Sequence, residues 1–247
     1  HAEEGARHDL AVVTAKAVRE KDGWRLSGRK IAALGAAAAD TILVTARISG
    51  AGRDATGVGV LLVGAGAAGL SLQSHATLDG GTAARVTLDN VALPADALLG
   101  GNENAGADIA HAYDRAIAAW CSECVGLMEA ATKATIEYTK IRVQFGKPLA
   151  VNQVLRHRMA DMSIQCEEAR SMALRAALYA DNSDAATRGR AVSGAWAKVS
   201  KAARFVAEQA IQLHGGMGVT DELTVGAYLK RVVALDAIAG GPDHHLR

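Results

Sequence analysis

Apolar and polar residues alternate through the first hundred positions of the chain, then settle into a period of three to four. Trp24, Leu26 and Gly28 alternate with Arg25, Ser27 and Arg29, the pattern of a half-buried strand. Residues 14–18, 41–48, 58–63, 70–73 and 85–93 read as further short strands rich in β-branched or alternating positions. Asp22-Gly23 reads as a type I′ hairpin turn, because both central residues of that turn need positive φ. Short strands at close spacing with glycine-rich turns predict a small antiparallel β-barrel over residues 1–100.

Beyond residue 100 the period changes. Tyr113, Ile117, Trp120, Cys124, Leu127, Ala131 and Ala134 mark one face of a long helix spanning residues 105–140. A second stripe from Gln153 runs through Leu155, Met159, Met162, Cys166, Ala169, Ala173 and Ala176. A third carries Trp196, Val199, Ala203, Val206, Ala210 and Leu213, and a shorter fourth helix is expected over residues 222–235. Residues 182–189 are the polar connection between the second and third. Such stripes predict an antiparallel four-helix bundle over residues 101–247, making the chain α+β overall.

Composition narrows the functional classes. Half of the 247 residues are apolar, and 27 basic against 26 acidic residues leave a formal charge of +1, so nucleic acid is not an expected partner. Three cysteines are too few for a disulfide framework and point to a cytoplasmic location. Cys121 and Cys124 have C-x-x-C spacing, but mid-helix and without a second pair they read as core, so no metal site is expected. Residues 55–78 carry no charge, yet five glycines and alternating polar positions make them strands rather than a membrane span. Gly64-Ala65-Gly66-Ala67-Ala68-Gly69 matches G-x-G-x-x-G, but Leu70-Ser71-Leu72-Gln73 directly after it alternates like a strand. A dinucleotide fingerprint needs a helix there.

The candidate chemistry lies at the ends of the long helices. Arg142-Val143-Gln144-Phe145-Gly146-Lys147-Pro148 and Gln212-Leu213-His214-Gly215-Gly216 each combine cationic or amide donors with glycine, which suits an anionic ligand. Taken alone, the first run also reads as a plain helix stop. As a pair, R-x-Q-F-G-K-P followed by Q-x-x-G-G-x-G resembles the C-terminal domain of the acyl-CoA dehydrogenases. Residues 22–30, D-G-W-R-L-S-G-R-K, resemble a hairpin of that family's middle domain, and Val91-Ala92-Leu93-Pro94 resembles the exit from it. The family's N-terminal helical domain is expected to precede His1 and is not in this sequence.

The resemblance implies FAD as cofactor, an acyl-CoA substrate, and an electron-transfer flavoprotein as acceptor. It assigns Arg142, Gln144, Phe145, Gln153, Gln212, Gly215 and Gly216 to the adenosine and pyrophosphate end of FAD, the two glycines through amides that can bond phosphate oxygens. His214, which alone reads as a structural residue, joins the candidates because it sits inside the glycine segment. The departures are equally specific. Where the family carries an aromatic residue and a hydroxyl for the isoalloxazine, this chain has Ile31-Ala32-Ala33-Leu34-Gly35. Where a catalytic glutamate belongs, it has Gly240-Gly241-Pro242, and the other family position falls near Ala116. Asp114, Asp236 and Asp243 are the nearby carboxylates, and no residue is assigned as catalytic base. This asymmetry implies a non-catalytic subunit paired with a paralogous acyl-CoA dehydrogenase subunit in a heterotetramer. Family members of that kind act on steroid side-chain thioesters. A complete homotetrameric enzyme with an unusual base, and a purely structural subunit, are the alternatives.

Overall fold

The structure is a computed structural model describing residues 1–246. The chain divides into two compact units, His1–Ala110 and His111–Arg247.

The first unit holds six strands: β1 (Lys16–Glu20), β2 (Gly23–Leu34), β3 (Thr41–Arg47), β4 (Val58–Gly64), β5 (Leu70–Ala76) and β6 (Thr82–Pro94). They form one sheet in the order β4-β3-β1-β2-β6-β5, antiparallel except where Lys16 of β1 meets Arg47 of β3 in parallel. Among the described residues no ladder joins the edges β4 and β5. The closed antiparallel barrel is therefore corrected to an open, mixed sheet. Alternation fixes which residues form strands, whereas closure depends on tilt and stagger that no single strand encodes.

The β1–β2 hairpin is present, but its loop is Lys21-Asp22, with Glu20 opposite Gly23 and no positive φ in the turn. The type I′ expectation for Asp22-Gly23 thus fails. Gly23 is needed for a different reason: a Cβ there would lie 2.0 Å from the Leu93 carbonyl oxygen of β6. The G-x-G-x-x-G run is the turn from β4 into β5, with no helix after it.

The inward positions of this sheet, among them Trp24, Leu26, Leu61, Val63, Val86 and Val91, form one core. Beside it lies a buried ion pair, Lys30 Nζ to Glu3 Oε1 at 2.5 Å, with Thr45 Oγ1 3.1 Å from the same nitrogen. Glu3 also accepts from the Thr14 hydroxyl and from the Thr14 and Ala15 amides. Burial alone would raise its carboxyl pKa, but the bonds from Lys30, Thr14 and Ala15 outweigh burial and hold it below the usual range.

The second unit is helical: α1 (Gly106–Ile141), which begins in the first unit, α2 (Gln153–Tyr179), α3 (Ala185–His214), α4 (Val225–Ala239) and the short α5 (Pro242–His245). Side-chain contacts give the directions. Thr132 meets Cys166 and Thr139 meets Met159, so α2 runs antiparallel to α1. Asp114 meets Arg188 and Tyr138 meets His214, so α3 runs parallel to α1. Glu123 meets Arg231 and Tyr113 meets Ala239, so α4 runs antiparallel again. Asp184 caps α3 by accepting from the Thr187 amide. Small side chains (Ala131, Ala169, Ala173, Ala203, Ala210) fill much of the common core around fully buried Trp196, whose Nε1 donates to the Gly240 carbonyl at 2.7 Å.

Removing one partner of the Glu3–Lys30 pair strands a buried charge. Lys30→Met should cost about 3–5 kcal/mol, and Glu3→Gln/Lys30→Met clearly less. Because the folded carboxyl is depressed, its stabilisation is present above its unfolded value and lost as pH falls through the lowered one. Urea unfolding followed in steps below about pH 4.3 should show this loss in the parent protein, and less of it in Glu3→Gln.

Candidate functional site

α1 ends at Ile141, although the Arg142 amide still donates to the Tyr138 carbonyl at 2.9 Å. The chain then makes a small hairpin, β7 (Val143–Gln144) with β8 (Lys147–Pro148), pairing Gln144 with Lys147. Its base is closed by the Leu149 amide donating to the Arg142 carbonyl at 2.9 Å. The two loop residues, Phe145 and Gly146, have φ of 54° and 77°, the pair of positive values that a type I′ turn demands. Glycine adopts this freely, but phenylalanine does so at a cost. The Phe145 ring is 98% exposed at the tip.

The second run terminates α3. Gly215, at φ 60°, caps the helix by donating its amide to the Gln212 carbonyl. That amide is therefore spent, and Gly215 offers the cleft an absence of side chain instead. A Cβ on Gly215 or Gly216 would meet nothing within 4 Å. His214 is buried, its Nδ1 2.7 Å from the Ala210 carbonyl and its ring 4.3 Å from that of Tyr138. It fastens the end of α3 to α1 rather than reaching outward.

These two helix ends border an open cleft of about 770 Å³, within the usual range for a small-molecule site. Six of the eight residues expected from the sequence line it: Arg142, Gln144, Gln212, His214, Gly215 and Gly216. Phe145 and Gln153 do not. Tyr138, Arg158 and Thr220 also line the cleft, beyond the sequence expectation. Arg158 lies one helical turn beyond Val154, which also lines the cleft, but nothing in the sequence singles it out from the other arginines of α2.

No aspartate or glutamate is among the lining residues. Among the described residues, neither Arg142 nor Arg158 forms a salt bridge. Arg115, Arg170, Arg188, Arg204 and Arg231 of this unit do, whereas Arg156, Arg175 and Arg190, again among the described residues, do not and lie outside the cleft lining. A carboxylate-free cleft with two uncompensated guanidinium groups attracts an anion. The donors suit phosphate, because guanidinium binds its oxygens in bidentate fashion and the Gln212 side chain lines the same cleft, while Gln144 Nε2 already donates one hydrogen to the Val143 carbonyl at 3.0 Å.

Residues 111–247 match the family model described as acyl-CoA dehydrogenase, C-terminal domain, and residues 1–91 match that for the middle domain. The chain belongs to the acyl-CoA dehydrogenase family. It is 30% identical over 232 residues to a probable acyl-CoA dehydrogenase, YngJ, of Bacillus subtilis, covering 92% of this chain and 60% of that one. It is also 30% identical over 225 residues to the human mitochondrial short-chain specific acyl-CoA dehydrogenase, covering 90% and 54%. The structure of butyryl-CoA dehydrogenase from Megasphaera elsdenii superimposes with a TM-score of 0.89 at 27% identity, over 99% of this chain and 64% of that one. The chain thus spans between half and two thirds of the length of these relatives.

The three aspartates that the sequence offers as proton acceptors lie outside the cleft lining and differ in availability. Asp114 is bound to buried Arg188, Nε to Oδ2 at 2.7 Å, so its charge is committed to packing. Asp236 is half-buried, with Oδ1 unpartnered and Oδ2 3.9 Å from Arg204 Nη1. Burial pushes its pKa up, against the opposing charge of Arg204. Asp243 lies in the first turn of α5. Gly240-Gly241-Pro242 stops α4, starts α5 and accepts the Trp196 bond. Buried Cys121 and Cys124 are free thiols whose pKa burial raises, that of Cys121 to about 12, and no metal-binding cluster occurs among the described residues. No described helix is long and apolar enough to cross a membrane.

Asp114→Ala should destabilise the protein by about 3–5 kcal/mol in denaturant unfolding by leaving Arg188 charged and buried. Asp243→Ala should stay within about 0.5 kcal/mol of the parent. A silent Asp114→Ala would free that residue for a catalytic role.

Proposed function

We propose that this chain binds the adenosine diphosphate portion of FAD in the α1–α3 cleft and serves an FAD-dependent acyl-CoA dehydrogenase as the subunit that completes the flavin site. A paralogous partner subunit supplies the proton-abstracting carboxylate. The observation that carries this reading is the pair of unpaired arginines in a cleft with no acid. Arg142 meets a phosphate through charge-assisted hydrogen bonds, Gln144 and Gln212 add amide donors, and the bare Gly215-Gly216 turn allows close approach. Phe145 offers its ring to the adenine from the hairpin tip, and Gln153 stands at the start of α2 beside the cleft-lining Val154. When bound, the flavin supplies the hydride acceptor for α,β-dehydrogenation of the thioester.

The division of labour rests on what the chain withholds. Ile31 to Gly35 offers no aromatic face and no hydroxyl, and Lys30, which precedes it, is consumed by Glu3. Asp114 is paired, and the segment Gly240-Gly241-Pro242 has nothing to titrate. An electron-transfer flavoprotein is the acceptor expected by family analogy. The steroid side chain suggested by the resemblance gains no support from the residues of either unit, so the substrate is assigned only as an acyl-CoA.

Purified alone, the chain should carry little flavin and oxidise no acyl-CoA. Adding the paralogous subunit should restore both flavin absorbance and activity. Full flavin occupancy with turnover by this chain alone would sink the reading. In the assembled protein, Arg142→Ala should weaken FAD retention by about 1.5–3 kcal/mol, measured from flavin fluorescence on dilution. Unchanged retention would reduce the chain to a scaffold.

A further inference from the structure

We infer that Arg158 makes this cleft selective for a diphosphate over a single phosphate group. The inference rests on the nucleotide-binding function proposed above and assigns a role to a residue which that function does not require. Arg142 and Arg158 reach the cleft from separate elements, one from the end of α1 and the other from the second turn of α2. Two like charges lining one carboxylate-free cleft repel each other until an anion enters, and because both side chains are exposed to water that repulsion is modest and screened by salt. Leu149, Leu155, Leu213 and Met217 add apolar wall to the same cleft.

The local backbone adds to the positive field. α2 is 27 residues long, its first turn contains no acidic residue, and Asn152 makes no side-chain cap hydrogen bond. Val154 and Leu155 of that turn line the cleft, so the positive end of the helix dipole lies at its wall. Asp161, the nearest acid beyond Arg158 on the same helix, forms no salt bridge with it among the described residues. A single phosphate group can be gripped by one guanidinium. A diphosphate places charge on two phosphorus centres and can satisfy both arginines at once, each in bidentate fashion.

ADP-ribose and AMP separate these cases. Both carry similar net charge near neutral pH, but ADP-ribose spreads it over two phosphates and AMP holds it on one. Both would be titrated calorimetrically into the full-length protein in its native assembly after flavin removal. The parent should bind ADP-ribose at least about tenfold more tightly than AMP, the scale of one charge-assisted contact. Arg158→Gln should reduce that ratio to below about threefold by weakening ADP-ribose alone. Arg158→Lys should restore part of it, and Arg142→Gln should weaken both ligands. An unchanged ratio in Arg158→Gln overturns the role of Arg158 while leaving the nucleotide site standing. Failure of the parent to bind either nucleotide overturns the site itself, and this inference with it.

Discussion

The helical unit is governed by the common level at which α1 and α3 end. Asp114 pairs with Arg188 near one end of the two helices, and Tyr138 lies against His214 near the other. Both helices rise about 1.5 Å per residue, and nearly equal numbers of residues separate the two contacts on each. The Arg142 hairpin and the Gly215-Gly216 turn are thereby brought to the same end of the bundle, although the whole of α2 lies between them in sequence. Shifting α3 by one turn would slide one wall past the other by about 5.4 Å and leave Arg142 without Gln212 opposite. The Asp114–Arg188 pair and the Tyr138–His214 stack thus set the geometry of the cleft without supplying its anion-binding groups.

This explains why the two motifs are legible as a pair while parts of each are not. Arginine, glutamine and glycine advertise their chemistry in the sequence, and helical periodicity predicts both helix ends to within a few residues. The sequence does not reveal which hydrogen bonds the backbone consumes. Gly215 reads as a free amide until the cap to Gln212 is visible, and His214 reads as a donor until Tyr138 and Ala210 are found to hold it. Arg158 is easily passed over because an arginine on a polar helix face is ordinary. Only its place in a cleft whose lining holds no acid distinguishes this one. In the sheet, alternation locates every strand, but the order β4-β3-β1-β2-β6-β5 and its open edges depend on pairings between distant segments. Gly23 is a further case: its need is set by the Leu93 carbonyl of β6, far along the chain, and not by the turn beside it.

Charge within the helical unit is divided between packing and the cleft, although Arg156, Arg175 and Arg190 form no salt bridge among the described residues and lie outside the cleft lining. Carboxylates are spent on structural arginines: Asp114 on Arg188, Glu123 on Arg231, Glu129 and Glu167 on Arg170. Arg142 and Arg158 are left to face the cleft in which the helix ends gather glycines and amides. Pairing either with an acid would relieve the local repulsion but cancel the field that draws an anion in. Because both side chains are exposed, leaving them unpaired costs the fold little, so binding capacity here is kept at small expense in stability.

Phe145 carries the same logic to the hairpin tip. A non-glycine residue at positive φ is strained, and a phenylalanine left 98% exposed forgoes the burial that normally justifies its presence. Asn-Gly in that turn would relieve the first cost, and a polar side chain would relieve the second. The Gln144–Lys147 pairing and the Leu149–Arg142 hydrogen bond hold the strained turn closed, so the ring is presented on a rigid mount rather than a loose loop. A rigid, flat apolar surface loses little conformational entropy when a second flat surface meets it. Within the proposed function the adenine is that surface. Adenine stacking would cover the exposed ring and a diphosphate would neutralise the arginines, while the backbone strain of Phe145 remains as the cost of presenting the ring.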